Sequence, residues 1–202
     1  MEDKLYSYQS ILINLINLDT NNMDATVSKT KNIISSDLSD DGTFWIICSA
    51  KKTNNKIIFY PFLIAEQFNE YYLKNIIIIP EFNAVGKGNA FKDHIYHVLF
   101  FAKKEKYKFN KDPIREKHIW KDVEWGKRKK NYNPLGKDPG NVWLKTNDDG
   151  KANITEHVLV PLSEVVERII RVSSDEKESC LLINCGQIKF KKYKRKIKHE
   201  NF

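Results

Sequence analysis

The sequence predicts an α/β fold, a sheet with helices on its faces. Three observations carry this. Short apolar runs rich in β-branched and aromatic residues, "TFWIICSA" (43–50), "NIIIIP" (75–80) and "SCLLINCG" (179–186), read as buried strands. Longer stretches with apolar residues three and four apart, above all "PLSEVVERIIRVSS" (161–174), read as amphipathic helices. The two kinds alternate along the chain instead of segregating, which is the pattern of layered α/β domains.

In chain order, "LYSYQSILINLIN" (5–17) carries apolar residues at 5, 8, 11, 12, 15 and 16, and that spacing predicts a helix. "DTNNMD" interrupts it. A weaker helix is expected through 24–38, closed by the polar turn "SDDG", before the strand at 43–50. "FYPFLIAEQFNEYYL" (59–73) reads as a helix with Pro61 in its first turn. The strand at 75–80 follows, then a loop (81–93) and a strand over "HIYHVLFFAK" (94–103). Residues 104–157 are polar and rich in Lys, Trp, Gly, Pro and Asn, so they are expected as a basic, loop-rich insert projecting from the sheet. The helix at 161–174, with Pro161 just inside its start, and the strand at 179–186 complete the core, and "KFKKYKRKIKHENF" reads as a basic tail.

A length of 202 residues suits a single domain with room for a real core. Hydrophobic residues at 41% and charged residues at 30% exclude a membrane protein and a disordered chain. The longest apolar run is far too short to cross a bilayer. "MEDKLYSYQS" is not a signal peptide, so a cytoplasmic protein is expected. Cys48, Cys180 and Cys185 are odd in number and lack zinc spacing, which points to core thiols in a reducing compartment. The formal charge of +8 fits a polyanionic partner such as nucleic acid, and it equally fits a genome that overuses Lys, Ile and Asn.

Few motifs carry chemistry. "VGKGNA", with Gly86 and Gly88, lacks the third glycine of a phosphate cradle and reads as a flexible loop. His94 and His97 stand in an apolar stretch without acidic or cysteine partners, which makes them structural and leaves no metal site. No nucleophile triad, P-loop or paired carboxylates stand out, and a nuclease has no acidic cluster to rest on. The basic segments say more. "WGKRKKNY" (125–132) interleaves Lys127, Arg128, Lys129 and Lys130 with Trp125 and Tyr132, so cations could neutralise phosphates while aromatics stack on bases. A solvated surface loop is the alternative. The tail, from Lys189 to Lys198, is either a second phosphate contact or a solvated run.

Several stretches together resemble the site-specific DNA amino-methyltransferases of restriction–modification systems, in the class whose catalytic motif precedes the recognition region and whose cofactor motif follows it. "DDGTFWIICSA" (40–50), "NIIII…KDHIYHVLFFAKKEKYKFN" (75–110), "DPIREKHIW…NPLGKDPGNVWLKT" (112–146) and "HVLVPLSEVVERIIRVSSDEKESCLLINCG" (157–186) carry the likeness. It implies a Rossmann-like methyltransferase fold in one domain, 1–202, with a recognition-like insert at 104–157. It implies S-adenosylmethionine as the family's cofactor, near Cys185 and Gly186 here. It also implies double-stranded DNA as partner, contacted by Lys127, Arg128, Lys129, Lys130 and Lys137 and by a backbone path set by Pro134, Gly136, Pro139 and Gly140. Trp143 would anchor that path to the core, or meet the displaced base itself. The sequence also departs from the family. Its catalytic motif is an Asp, Ser or Asn followed by Pro-Pro-aromatic, and no two of the six prolines here are adjacent. The chain is therefore expected to begin after that motif, and no residue takes a catalytic role. In place of Asp-Pro-Phe-small-Gly-Ser-Gly stand Leu182, Ile183, Asn184, Cys185, Gly186, Gln187 and Ile188, which puts cofactor binding by this chain in doubt. Two functions follow from this: an incomplete methyltransferase needing a second chain, or a dead homologue that binds DNA or a partner.

Overall fold

A computed structural model describes residues 7–17, 22–54, 56–80, 95–117, 133–146, 157–158, 160–186, 188 and 194–202. The strands are β1 (Tyr8–Asn14), β2 (Leu38–Cys48), β3 (Lys51–Thr53), β4 (Lys56–Ile58), β5 (Tyr72–Pro80), β6 (Ile95–Ala102), β7 (Lys145–Thr146), β8 (His157–Val158), β9 (Ser179–Ile183) and β10 (Lys196–Glu200). The helices are α1 (Met23–Asp37), α2 (Tyr60–Gln67) and α3 (Leu162–Ser173). Six strands form the main sheet in the order β10-β9-β1-β2-β6-β5. The first four run parallel, and β6 is antiparallel to both of its neighbours.

Alternation along each strand divides the core between two faces. On one, Ile11, Ile13, Phe44, Ile46, Leu99, Phe101 and Leu181 pack with Val27 and Ile34 of α1 and Ile64 of α2. On the other, Leu12, Trp45, Ile47, Val98, Phe100 and Leu182 meet Val165, Val166, Ile169 and Ile170 of α3. The apolar stripe of α3, legible in the sequence, faces this second cluster.

The N-terminal segment corrects the sequence reading: residues 8–14, expected in a helix, form β1. A strand buried on both faces shows no polar side, so its apolar residues fit a helical period by accident. Gln9 and Ser10, the apparent solvent-facing positions, are buried with partners. Ser173 Oγ lies 2.8 Å from Ser10 Oγ, and the Gln9 side-chain amide donates to the Asp41 carboxylate at 3.2 Å. Downstream, α1 forms as expected, but "SDDG" lies within β2. There the register against β1 jumps from Tyr8↔Leu38 to Ser10↔Thr43, so those residues bulge from the strand. The helix expected to reach residue 73 stops at Gln67, and Tyr72 and Leu73 begin β5. The hairpin β3–β4 turns at Asn54, which has φ 49°. The expected tail contains β10, whose "KIKHE" pairs in parallel with β9.

The described parts of the insert lie against the sheet instead of projecting from it. The Asn110 amide donates to the Val172 carbonyl at 2.8 Å, and Ile114 and Trp143 are buried in the α3-side cluster. No described helix is long and apolar enough to cross a membrane.

Candidate functional site

Two regions of the sheet surface are built from loops. The first lies at its carboxyl ends. From β1 the chain crosses through α1 to β2 on one side, whereas β9 is followed by β10 on the other. Open α/β sheets bind ligands in the crevice at such a switch in winding. A cleft of about 510 Å³ opens there, lined by Asn14 at the end of β1, Asn17 beyond it, Thr26 and Lys29 of α1, Asn184 after β9, and Phe202 after β10. Ile13 and Ile183 are register partners; Asn14 closes β1, and Asn184 follows the end of β9.

The hydrogen bonds fix how these two amides face. Asn14 Oδ1 accepts the Ile16 amide at 3.1 Å, and Asn184 Oδ1 accepts the Phe202 amide at 2.9 Å. Because the partners are N–H donors, the bonded atom on each side chain must be oxygen. The Asn184 amide donates to the Glu200 carbonyl at 2.9 Å, and Asn184 sits at φ 55°, a conformation that asparagine tolerates well. The Lys29 ammonium stands 4.5 Å from the centre of the Phe202 ring. Of the expected cofactor pair, Cys185 turns inward. It is 7% exposed, its thiol donates to the Ile183 carbonyl at 3.3 Å, and burial pushes its pKa up to about 12. Gly186 is exposed at φ +66° with open space around it. The residues that line the cleft escape motif reading. The only signal for them is asparagine directly after a buried strand.

The second region is the segment 133–143. The Gly136 amide closes a turn onto the Asn133 carbonyl at 3.0 Å, and Glu116 and Lys137 then exchange backbone bonds at 3.0 and 2.7 Å. Gly136 has φ +116°, and a Cβ there would fall 2.5 Å from the Glu116 carbonyl oxygen. Gly140, at φ +69°, donates to the Asp138 carboxylate at 3.0 Å and accepts the Trp143 indole N–H at 3.1 Å. The segment then joins the outer edge of β5. The Ile78 amide donates to Asn141 at 2.8 Å, and the Trp143 amide donates to Ile78 at 3.0 Å. Trp143 is 3% exposed, with the Arg168 guanidinium of α3 5.5 Å above its ring. Arg168 in turn pairs with Glu164 at 3.0 Å and Glu116 at 3.4 Å. Between this segment and the sheet lies a cavity of about 390 Å³. Its aromatic lining includes Trp45, stacked on Phe100 at 3.9 Å, and Phe109.

Lys137 is exposed beside this clamp. Lys127, Arg128, Lys129 and Lys130 lie outside the described residues, as do His94, Gly86, Gly88 and Lys189. His97 is buried on β6, its ring edge-on to Phe59 at 5.0 Å. In the tail, Arg195 donates to the Ser174 hydroxyl at 2.8 Å, and Lys198 pairs with Glu200 at 2.6 Å.

A DNA methylase family model covering N6 and N4 methyltransferases matches residues 16–198. Among solved structures, the chain is similar to the PvuII cytosine-N4-specific DNA methyltransferase, at 13% identity and a TM-score of 0.60, over 98% of this chain and 76% of that one. It is similar to TTHA0409 from Thermus thermophilus, complexed with S-adenosyl-L-methionine (13% identity, TM-score 0.54, 98% and 82% covered). A third likeness is to the M1.HpyAVI–SAM complex (14% identity, TM-score 0.50, 97% and 82%). At these identities the structures show a shared fold. No protein of curated function matches the sequence.

Proposed function

The chain belongs to the DNA methylase family of N6 and N4 methyltransferases, and from that premise we propose that it is a member that does not transfer methyl groups by itself. It works as the DNA-contacting part of a two-chain enzyme whose other chain brings the Pro-Pro-aromatic motif. The observation that carries this reading is the chemistry of the cleft at the ends of β1 and β9. S-adenosylmethionine brings a positive sulfonium and a positive amino group, which call for carboxylates or oxygen acceptors nearby. The described lining offers asparagine amides, a threonine and the Lys29 ammonium. The oxygens of Asn14 and Asn184 are already bonded to backbone amides. These residues do not fit the cofactor, and no step of methyl transfer is derived through it. The turn after β1, Asn14-Leu15-Ile16-Asn17, likewise has none of the rigid Pro-Pro-aromatic geometry that positions an amino nitrogen for reaction.

The insert, 104–157 within a single domain, supplies the DNA contact in this reading. Lys127, Arg128, Lys129, Lys130 and Lys137 neutralise phosphates beside the turn at Gly136 and Gly140. The test is tritiated methyl transfer from S-adenosylmethionine to duplex DNA. The purified chain should stay at the no-protein blank, and incorporation well above it overturns the proposal. The charge of the insert favours a second reading, a homologue that only binds DNA. Replacing Lys127, Arg128, Lys129 and Lys130 with alanine should flatten the slope of log affinity against log salt by about two to four units. An unchanged slope removes the DNA contact from both readings.

A further inference from the structure

We propose that the cleft at the ends of β1 and β9 is a binding site for an anionic nucleotide, a planar base carrying a phosphate, and discriminates against the cationic sulfonium nucleoside. The inference rests on the family reading above and gives the same cleft a ligand.

The polarity of the cleft follows from its hydrogen bonds. With Oδ1 of Asn14 and of Asn184 each held by a backbone N–H, the group each side chain can present to a ligand is its NH2. Both line the same cleft, Asn14 as the last residue of β1 and Asn184 directly after β9. They make a donor pair suited to the acceptor oxygens and ring nitrogens of a nucleotide. Lys29 adds a positive charge to the same cleft and stands over Phe202. Phe202, 38% exposed and fixed through its own amide to Asn184, places an aromatic ring in the cleft that a base could share with Lys29. A volume of about 510 Å³ lies in the range of small-molecule sites. Two donors, one cation and a ring complement a phosphate and a heterocycle, and the same cation repels a sulfonium.

The test is isothermal titration calorimetry of the full chain with adenosine 5′-monophosphate, adenosine and S-adenosylmethionine. Saturable binding of the monophosphate is expected, weakening as salt rises, with S-adenosylmethionine weaker by about tenfold or more. Lys29→Gln should weaken the monophosphate about tenfold and leave adenosine unchanged. Asn14→Asp should narrow or reverse the preference, because it places a carboxylate beside the bound ligand; thermal melts establish that both variants fold. The inference is overturned if the unmodified chain binds S-adenosylmethionine as tightly as the monophosphate, or does not bind the monophosphate saturably. Those results leave the absence of methyl transfer standing, whereas methyl incorporation into DNA defeats the functional proposal itself.

Discussion

The clamp at 133–143 and the cleft after β1 and β9 are both loops closing on one sheet, and they spend their residues in opposite ways. The clamp concentrates Pro134, Gly136, Pro139, Gly140 and Trp143, and its bonding groups are largely satisfied within the protein: Glu116 with Lys137, Asp138 with Gly140, Trp143 with Gly140, Asn141 with Ile78. The cleft uses asparagines, a threonine and one lysine, with the oxygens of Asn14 and Asn184 held by backbone amides. Rigid and permissive residues packed together mark a place where the backbone path matters. They do not mark where a ligand would find unsatisfied groups.

The most severe way to break the clamp is Trp143→Ala. The indole is 3% exposed in the α3-side core, and its loss should cost about 3–5 kcal/mol in urea unfolding. Gly136→Ala comes next, at about 2–3 kcal/mol, because it combines φ +116° with a Cβ 2.5 Å from the Glu116 carbonyl. Gly140→Ala, with open space at its Cβ, should cost only about 1 kcal/mol. If the two glycine variants cost the same, close approach at Glu116 is not what selects Gly136. In the cleft, Asn14→Ala removes one hydrogen bond at the edge of a cavity, and about 1 kcal/mol is expected. A loss as large as that of Trp143→Ala would make the cleft a structural element like the clamp.

Acid sharpens the comparison further. The hydrogen bond from Lys111 chiefly, then the Gly140 amide, holds the Asp138 carboxyl below its ordinary value of 3.8. A lowered folded pKa means that its stabilising share is full above the unfolded value and fades as pH falls through the folded one. The effect therefore belongs below about pH 4. Asp138 is half exposed, so Asp138→Asn should remove no more than about 1 kcal/mol of acid-sensitive stability. The smallest expected signal is thiol alkylation. Burial pushes Cys185, beneath the cleft loop, and Cys48, in the opposite cluster, up to about 12. Both thiols stay protonated at pH 8 and shielded from solvent, so neither should react with iodoacetamide in the native chain. Reaction at Cys185 alone would reveal a cleft loop that opens while the rest of the sheet stays closed.

The sheet and its alternation with helices are largely legible in the sequence. The apolar runs at 75–80 and 95–102 form strands and the helical period at 162–173 forms α3, but 75–80, expected as a buried strand, lies at the sheet's edge with only Ile77 and Ile79 buried. The errors have physical causes. In β1, Ser10 and Gln9 are polar residues satisfied in the interior, which disguises a strand buried on both faces as an amphipathic helix. In β10, a strand at the sheet's edge is rich in lysine, which compositional reading assigns to a tail. Trp143 is legible as an anchor because a lone tryptophan beside glycine turns has few other uses. Asn14, Asn184, Lys29 and Phe202 are not, because they come together only through the pairing of β1, β9 and β10 and the placement of α1, and no local spacing joins them.

The attachment of Asn141 and Trp143 to Ile78 also bears on how the protein behaves in a crowd. Ile76, Ile77, Ile78 and Ile79 form an uninterrupted β-branched run on the outermost strand of the sheet. An outer strand of that composition is a template on which a second molecule can pair, and such pairing seeds aggregates. By occupying the Ile78 amide and carbonyl, the clamp takes that template out of circulation, so a tryptophan that anchors a loop also acts as a gatekeeper of solubility.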